Sequence, residues 1–175
     1  MKRKMKSLIL RPITTAPRDD TEILLFSIKT EWFEIIDVGH FDRIIGWRSD
    51  YGDIEEPTHW LPLPRLPRGE TKGFVPQPGE SDESPVLRPI RSAPMDGTEI
   101  MLFQIQKDRG RGLISITPVD IGCWEFIEVS DFDGMRVYGW SCNDSRLDEP
   151  THWLPIPVIP ESPADSSAPI PPRRG

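Results

Sequence analysis

The chain states one pattern twice. Leu10-Arg11-Pro12-Ile13, Ala16-Pro17, Asp19, Thr21-Glu22-Ile23 and Leu25-Phe26 return as Leu87-Arg88-Pro89-Ile90, Ala93-Pro94, Asp96, Thr98-Glu99-Ile100 and Leu102-Phe103. Further on, Glu56-Pro57-Thr58-His59-Trp60-Leu61-Pro62-Leu63-Pro64 returns as Glu149-Pro150-Thr151-His152-Trp153-Leu154-Pro155-Ile156-Pro157. Two matched blocks in the same order mark a duplicated unit, and a duplication constrains the fold before any local propensity is weighed. The first block recurs at an offset of 77 residues, Val38 to Phe41 match Ile121 to Trp124 at 83, and Gly46-Trp47 match Gly139-Trp140 at 93. The second copy therefore carries extra residues around Lys107 to Gly112 and around Ser130 to Arg136. Insertions are tolerated in loops and disrupt strand ladders, so both stretches are expected at hairpin tips.

Each first block leads through a Pro- and Asp-rich turn into an apolar run, Thr21 to Ile28 and Thr98 to Ile105. Proline presets φ in the turn, and Asp and Gly supply side-chain capping and left-handed backbone. The first copy has Asp20 where the second has Gly97, so some strain is expected at Asp20. In the run itself Ile23 and Leu25 point to one face, and Leu24, Phe26 and Ile28 to the other. A strand apolar on both faces needs cover on both, from its own unit and from the sister copy or the Trp-Leu-Pro segment. Further strands are expected over residues 33 to 38, 44 to 48, 113 to 116, 121 to 125 and 136 to 140, with Gly and Asp at the breaks. The Trp-Leu-Pro-x-Pro segments are expected at an edge or in a polyproline pass, because proline donates nothing to a ladder. No window has helical period.

These readings give an all-β chain of two tandem, small, SH3-like barrels or rolls packed as a pseudo-twofold pair. The divisions are a basic leader over 1–7, a first β-unit over 8–67, a linker over 68–85, a second β-unit over 86–160 and a tail over 161–175. Units of this size have small cores, and mutual packing increases the apolar surface each can bury. The linker, rich in Gly, Pro, Ser and Glu, spans ~20 to 25 Å as a flexible coil, enough for the two units to meet face to face. The tail has the composition of a disordered segment.

Formal net charge is −7. Because the leader is strongly basic, the body between residues 7 and 160 carries about −11. An acidic body argues against a broad phosphate-binding surface, so nucleic acid is not an expected partner. The leader lacks the apolar core of a signal peptide and no run is long enough to span a bilayer, so a cytoplasmic location with no membrane association is expected. The two cysteines, Cys123 and Cys142, form no CxxC pair. Neither a disulfide framework nor a zinc ribbon is indicated.

Candidate chemistry lies in the repeated polar and aromatic residues. Glu56, Thr58 and His59, with Glu149, Thr151 and His152, place an imidazole beside a hydroxyl and near a carboxylate, a set suited to general-base work or ligand anchoring. The structural reading, favoured here, has the Thr capping a turn and the His filling a pocket. A metal site from His59 with His40, or His152 with Cys123, has no zinc-like spacing. Among the six tryptophans, Trp47 with Trp140 and Trp60 with Trp153 are duplicated. They serve either as core pillars or as a stacking groove for a planar ligand. Arg11 and Arg88, repeated with them, are plausible cations for a phosphate. Together these twelve residues form the candidate ligand-binding set. No nucleophile elbow or phosphate-cradling glycine loop is present, and no catalytic residue, metal or cofactor is assigned.

With Arg11 to Leu25 and Arg88 to Leu102 as openings, and Thr58 to Pro64 and Thr151 to Pro157 as closings, the chain resembles a family of short bacterial and phage domains, domain of unknown function 551 and its relatives. Its members open on Trp- or Arg-x-Pro-Ile-x-x-Ala-Pro-x-Asp-Gly-Thr and close on Thr-His-Trp-x-Pro-Leu-Pro. The chain departs from that pattern at Arg11 and Arg88, where many members have Trp, at Asp20 in place of Gly, and in its tandem arrangement. The resemblance implies an accessory gene of a phage or mobile element and brings no catalytic residue. The expectation is a noncatalytic binding module that occupies a host protein, as inhibitor or adaptor, or sequesters a small planar ligand such as a nucleotide. The body's acidity slightly favours the protein partner, and the internal pair needs no further oligomerisation. The alternatives are a small hydrolase or metal-dependent enzyme using His59 and His152, and a virion or assembly component.

Overall fold

In the computed structural model the described residues are 8–29, 32–49, 52–54, 56–71, 83–108, 110–129, 135–142, 145–146 and 149–159. The leader, the tail, the middle of the linker and the tip of the second insertion lie outside them. The first copy contains β1 (Arg11–Pro12), β2 (Ile23–Lys29), β3 (Trp32–Asp42), β4 (Gly46–Ser49), β5 (Gly52–Asp53) and β6 (His59–Pro62). The second contains β7 (Arg88–Pro89), β8 (Ile100–Asp108), β9 (Leu113–Val129), β10 (Met135–Cys142), β11 (Ser145–Arg146) and β12 (His152–Pro155). A short 3₁₀ turn follows β1 at Ile13–Thr15 and β7 at Ile90–Ser92.

The protein is all-β. Each copy forms one six-stranded sheet, ordered β1-β6-β2-β3-β4-β5 and, in the same sense, β7-β12-β8-β9-β10-β11. Every strand pairing within them is antiparallel. Among the described residues no pairing joins β5 back to β1 or β11 back to β7, so neither sheet closes into a full barrel there, in keeping with partly open barrels or rolls.

The two-faced strands β2 and β8 explain the layering. Leu24 and Phe26 of β2, Leu61 of β6, Met101 and Phe103 of β8 and Leu154 of β12 lie in one continuous core with Leu10 and Leu87, drawn from both copies. Leu24, Phe26, Met101 and Phe103 are fully buried, each contributing about 1.5–3 kcal/mol by transfer from water. The alternate residues serve the opposite face of each sheet. Ile23, Leu25 and Trp60 pack with Ala16, Ile13 and Trp47, and Ile100, Leu102 and Trp153 with Ala93, Ile90 and Trp140.

The copies also meet through their backbones. Ile9 bridges Val158, with Leu10 N–H donating to Val158 C=O at 3.1 Å and Val158 N–H to Leu8 C=O at 2.7 Å. Its counterpart is the Arg65 to Val86 bridge, held by Arg65 N–H to Pro85 C=O at 2.9 Å and Leu87 N–H to Arg65 C=O at 2.8 Å. The beginning of each copy is thus fastened to the end of the other.

Three local expectations change. The Trp-Leu-Pro segment is not an edge: β6 lies between β1 and β2. Its proline is tolerated because β1 reaches only His59 and Trp60, leaving Pro62 with a neighbour on the β2 side alone. Residues 113 to 116 and 121 to 125 belong to one strand, β9, because Pro118 sits where the register against β8 shifts between Leu102 and Phe103, and a bulge accommodates a missing donor. Asp20 does not adopt positive φ; among the described non-glycine residues Glu56 does, at 46°. The first insertion lengthens the β8–β9 hairpin as expected, its turn capped by Asp108 Oδ1, which accepts from the N–H of Gly110 and Arg111 at 2.9 and 3.1 Å.

Two stability measurements check this packing. A Cβ at Gly39 would lie 2.5 Å from the Arg48 carbonyl oxygen and 2.9 Å from Ile54 Cδ1, so Gly39→Ala is expected to cost ~1–3 kcal/mol in urea denaturation. Phe103→Ala is expected to cost ~3–5 kcal/mol, with both copies still unfolding in one transition. A second transition, assigned to one copy, would contradict a shared core.

Candidate functional site

The repeated Thr-His-Trp motif fastens the sheet. Thr58 N–H donates to the Phe26 carbonyl at 2.8 Å, and its Oγ1 accepts from Ile28 N–H at 2.9 Å. Thr151 does the same to Phe103 at 2.9 Å and Ile105 at 2.9 Å. Each hydroxyl therefore extends the ladder beyond the end of β6 or β12, supplying an acceptor where no backbone carbonyl is in register. The carbonyls of Thr58 and Thr151 accept from Ile13 and Ile90, both at 2.9 Å, which ties down the 3₁₀ turns.

The tryptophan takes the next step. Trp60 Nε1–H donates to Thr15 Oγ1 at 3.1 Å, and that hydroxyl donates to the Pro12 carbonyl at 2.7 Å. Trp153, Ser92 and Pro89 repeat the relay at 3.2 and 2.7 Å. Both indoles are buried, and an arginine covers each: the Arg11 guanidinium lies 5.0 Å from the Trp60 ring centroid and that of Arg88 4.9 Å from Trp153. Such stacking contributes about 0.5–1 kcal/mol at exposed sites, and it holds the planar cation in a fixed attitude.

The histidines differ. Nδ1 of each lies 3.0 Å from the neighbouring Thr hydroxyl. His59 is half-buried, whereas His152 is 6% exposed and its Nε2 lies 3.2 Å from Glu70 Oε2. Glu70 also accepts from Lys107 Nζ at 3.3 Å. Nε2–H of His152 is placed to donate to Glu70, while the Thr151 hydroxyl beside Nδ1 donates to the Phe103 carbonyl at 3.3 Å. Burial lowers the pKa of both histidines, with Glu70 acting against that shift at His152.

Of the remaining candidates, Glu56 and Glu149 are exposed, and neither bonds to a histidine among the described residues. Trp47 and Trp140 sit in the two smaller cores, edge-on to Phe41 at 5.2 Å and to Trp124 at 5.3 Å. The thiol of Cys142, held against Asp120 Oδ2 at 2.8 Å, is pushed up to about 12 by burial and that carboxylate. No group of three or more His, Cys, Asp or Glu side chains suited to a metal ion occurs among the described residues.

Of the candidate set, Arg11 and Arg88 line a cleft. This cleft, of about 910 Å³, runs along the junction of the copies. Its lining includes the equivalent pairs Arg11 and Arg88, Leu61 and Leu154, Pro62 and Pro155, and Ile9 and Val86. Arg65 adds a third guanidinium; its buried Nε has no acceptor among the described residues. Glu83, also in the lining, holds Arg11 Nη2 at 2.5 Å. Arg65 was invisible to repeat matching because Val158 stands at its counterpart position, and the two leucines read as plain core. The signal the leucines carry is duplication beside the repeated Trp60 and Trp153.

No family model, curated protein or solved structure matches the chain. Among the described residues no helix is long and apolar enough to cross a membrane.

Thr151→Val would leave the Ile105 N–H without its acceptor and is expected to cost ~1–3 kcal/mol, against less than ~0.5 kcal/mol for exposed Glu56→Gln. The lowered pKa of His152 carries a sign. The unfolded chain takes up a proton near the ordinary value of 6.5 while the folded chain resists it, so stability falls as pH drops through that value. His152→Gln is expected to flatten this acid-side slope in melts between pH 5 and pH 8; an unchanged slope would contradict the assignment.

Proposed function

We propose that the protein is a noncatalytic binding module that captures a small anionic ligand with a planar part, a nucleotide being the class that fits best, in the cleft between its two copies. The observation that carries this reading is the duplicated Arg-on-Trp pair at that cleft. Arg11 and Arg88 are laid on buried indoles and line a cavity whose floor includes Leu61 and Leu154. Guanidinium forks match phosphate oxygens in bidentate fashion, and holding them in place beforehand lowers the entropic cost of binding. The cavity's size falls within the range of small-molecule sites, roughly 300–1,000 Å³. An apolar floor with a few fixed cations suits a planar base carrying phosphate.

The overall negative charge supports the same reading, since a basic cleft on an acidic body attracts small anions while the body repels long polyanions. Geometry favours this ligand over the host-protein partner because the repeated arginines face a concave site. The resemblance to phage and prophage domains supports an accessory setting in which capture withdraws a nucleotide from host use.

Calorimetric titration with a panel of mono- and dinucleotides is expected to find a ligand with micromolar or tighter affinity. The double variant Arg11→Gln, Arg88→Gln should weaken that binding by at least ~30-fold, two lost charge-assisted contacts, while melting within about 4 °C of the parent. Absence of binding across the panel would contradict the proposal.

A further inference from the structure

The cleft is built from equivalent residues of the two copies, and that symmetry narrows the ligand. Resting on the small-anion reading above, we infer that the cleft takes one cyclic dinucleotide per chain, with one phosphate on Arg11 and the other on Arg88. Arg11 and its duplicate Arg88 both line the cleft, as do Leu61 and Leu154, and Pro62 and Pro155. Both arginines are seated on a tryptophan, at 5.0 and 4.9 Å, so the two cationic positions are equivalent in kind and in support. A surface made from two related copies is complementary to a ligand that is itself twofold symmetric, by the argument that makes twofold interfaces self-complementary. A mononucleotide presents phosphate at one end and engages one of these positions. A cyclic dinucleotide presents two phosphates related by a twofold axis and two planar bases for the apolar surfaces between.

Two further features of the lining bear on the assignment. Glu83 already places a carboxylate on Arg11, which marks that guanidinium as an anion position and makes Glu83 a competitor for it. Side-chain exposures of 40% and 69% leave this ion pair open to solvent, and exposed pairs are weak enough for a phosphate to displace. Arg65 lines the cleft with a buried Nε lacking an acceptor among the described residues, a donor that a ligand oxygen would satisfy.

The test is calorimetry on the full chain with cyclic di-AMP and cyclic di-GMP, against AMP and GMP as single-phosphate controls. One cyclic dinucleotide is expected per chain, bound ~10- to 100-fold more tightly than its mononucleotide, the gain from a second charge-assisted contact. Arg11→Gln and Arg88→Gln are each expected to weaken it ~10- to 100-fold. Glu83→Gln, which removes the competitor, should tighten it by about 3- to 10-fold. Two ligands per chain, mononucleotides binding equally well, or indifference to Arg88→Gln would overturn the twofold assignment and leave the small-anion reading standing. Loss of all nucleotide binding in the parent chain would overturn both.

Discussion

Burial of β2 and β8 on both faces is the constraint from which the rest of the structure follows. Phe26 and Phe103, with Leu24 and Met101, have no exposure because the sister copy covers them. Ile23, Leu25, Ile100 and Leu102 are equally inaccessible because each copy covers them with its own 3₁₀ turn and tryptophan. A single copy could supply the second kind of cover but not the first. Separation would expose the inner face of each sheet, at a cost of roughly 25 cal/mol for every Å² of apolar surface returned to water.

The Thr-His-Trp motif belongs to the same design. It is where a strand that must be covered on both sides is fastened: Thr58 and Thr151 prolong the ladder to β2 and β8, and Trp60 and Trp153 lock the 3₁₀ turn against the outer face. The turn in turn follows β1 and β7, which carry Arg11 and Arg88. So the residues that close the small cores also set the arginines at the junction of the copies. The cleft exists because the copies pack, and its cations are placed by the motif that makes packing possible.

Much of this was legible in the residues themselves. Matching Leu10 to Ile28 against Leu87 to Ile105 gave the duplication, and the apolar parity of Ile23 to Ile28 gave two layers of cover. The arginines were legible because they repeat. What the residues did not disclose depends on distant segments. Pro62 reads as an edge residue until the two-residue length of β1 is known. Glu70 reads as linker until it is found on His152 and Lys107. The order of strands within each sheet depends on pairings between distant segments, which β-periodicity does not specify. Arg65 has no repeat partner, and its role at the cleft arises from the bridge to Val86.

Native-state hydrogen exchange of the whole chain tests the central claim most directly, by comparing the slowest amides of β2 with those of β8. A core shared between the copies predicts that both sets open only by global unfolding, with the same free energy and the same dependence on added denaturant. Protection that differs by several kcal/mol between β2 and β8, with one copy opening while the other stays closed, would contradict mutual cover as the interaction that holds the protein together.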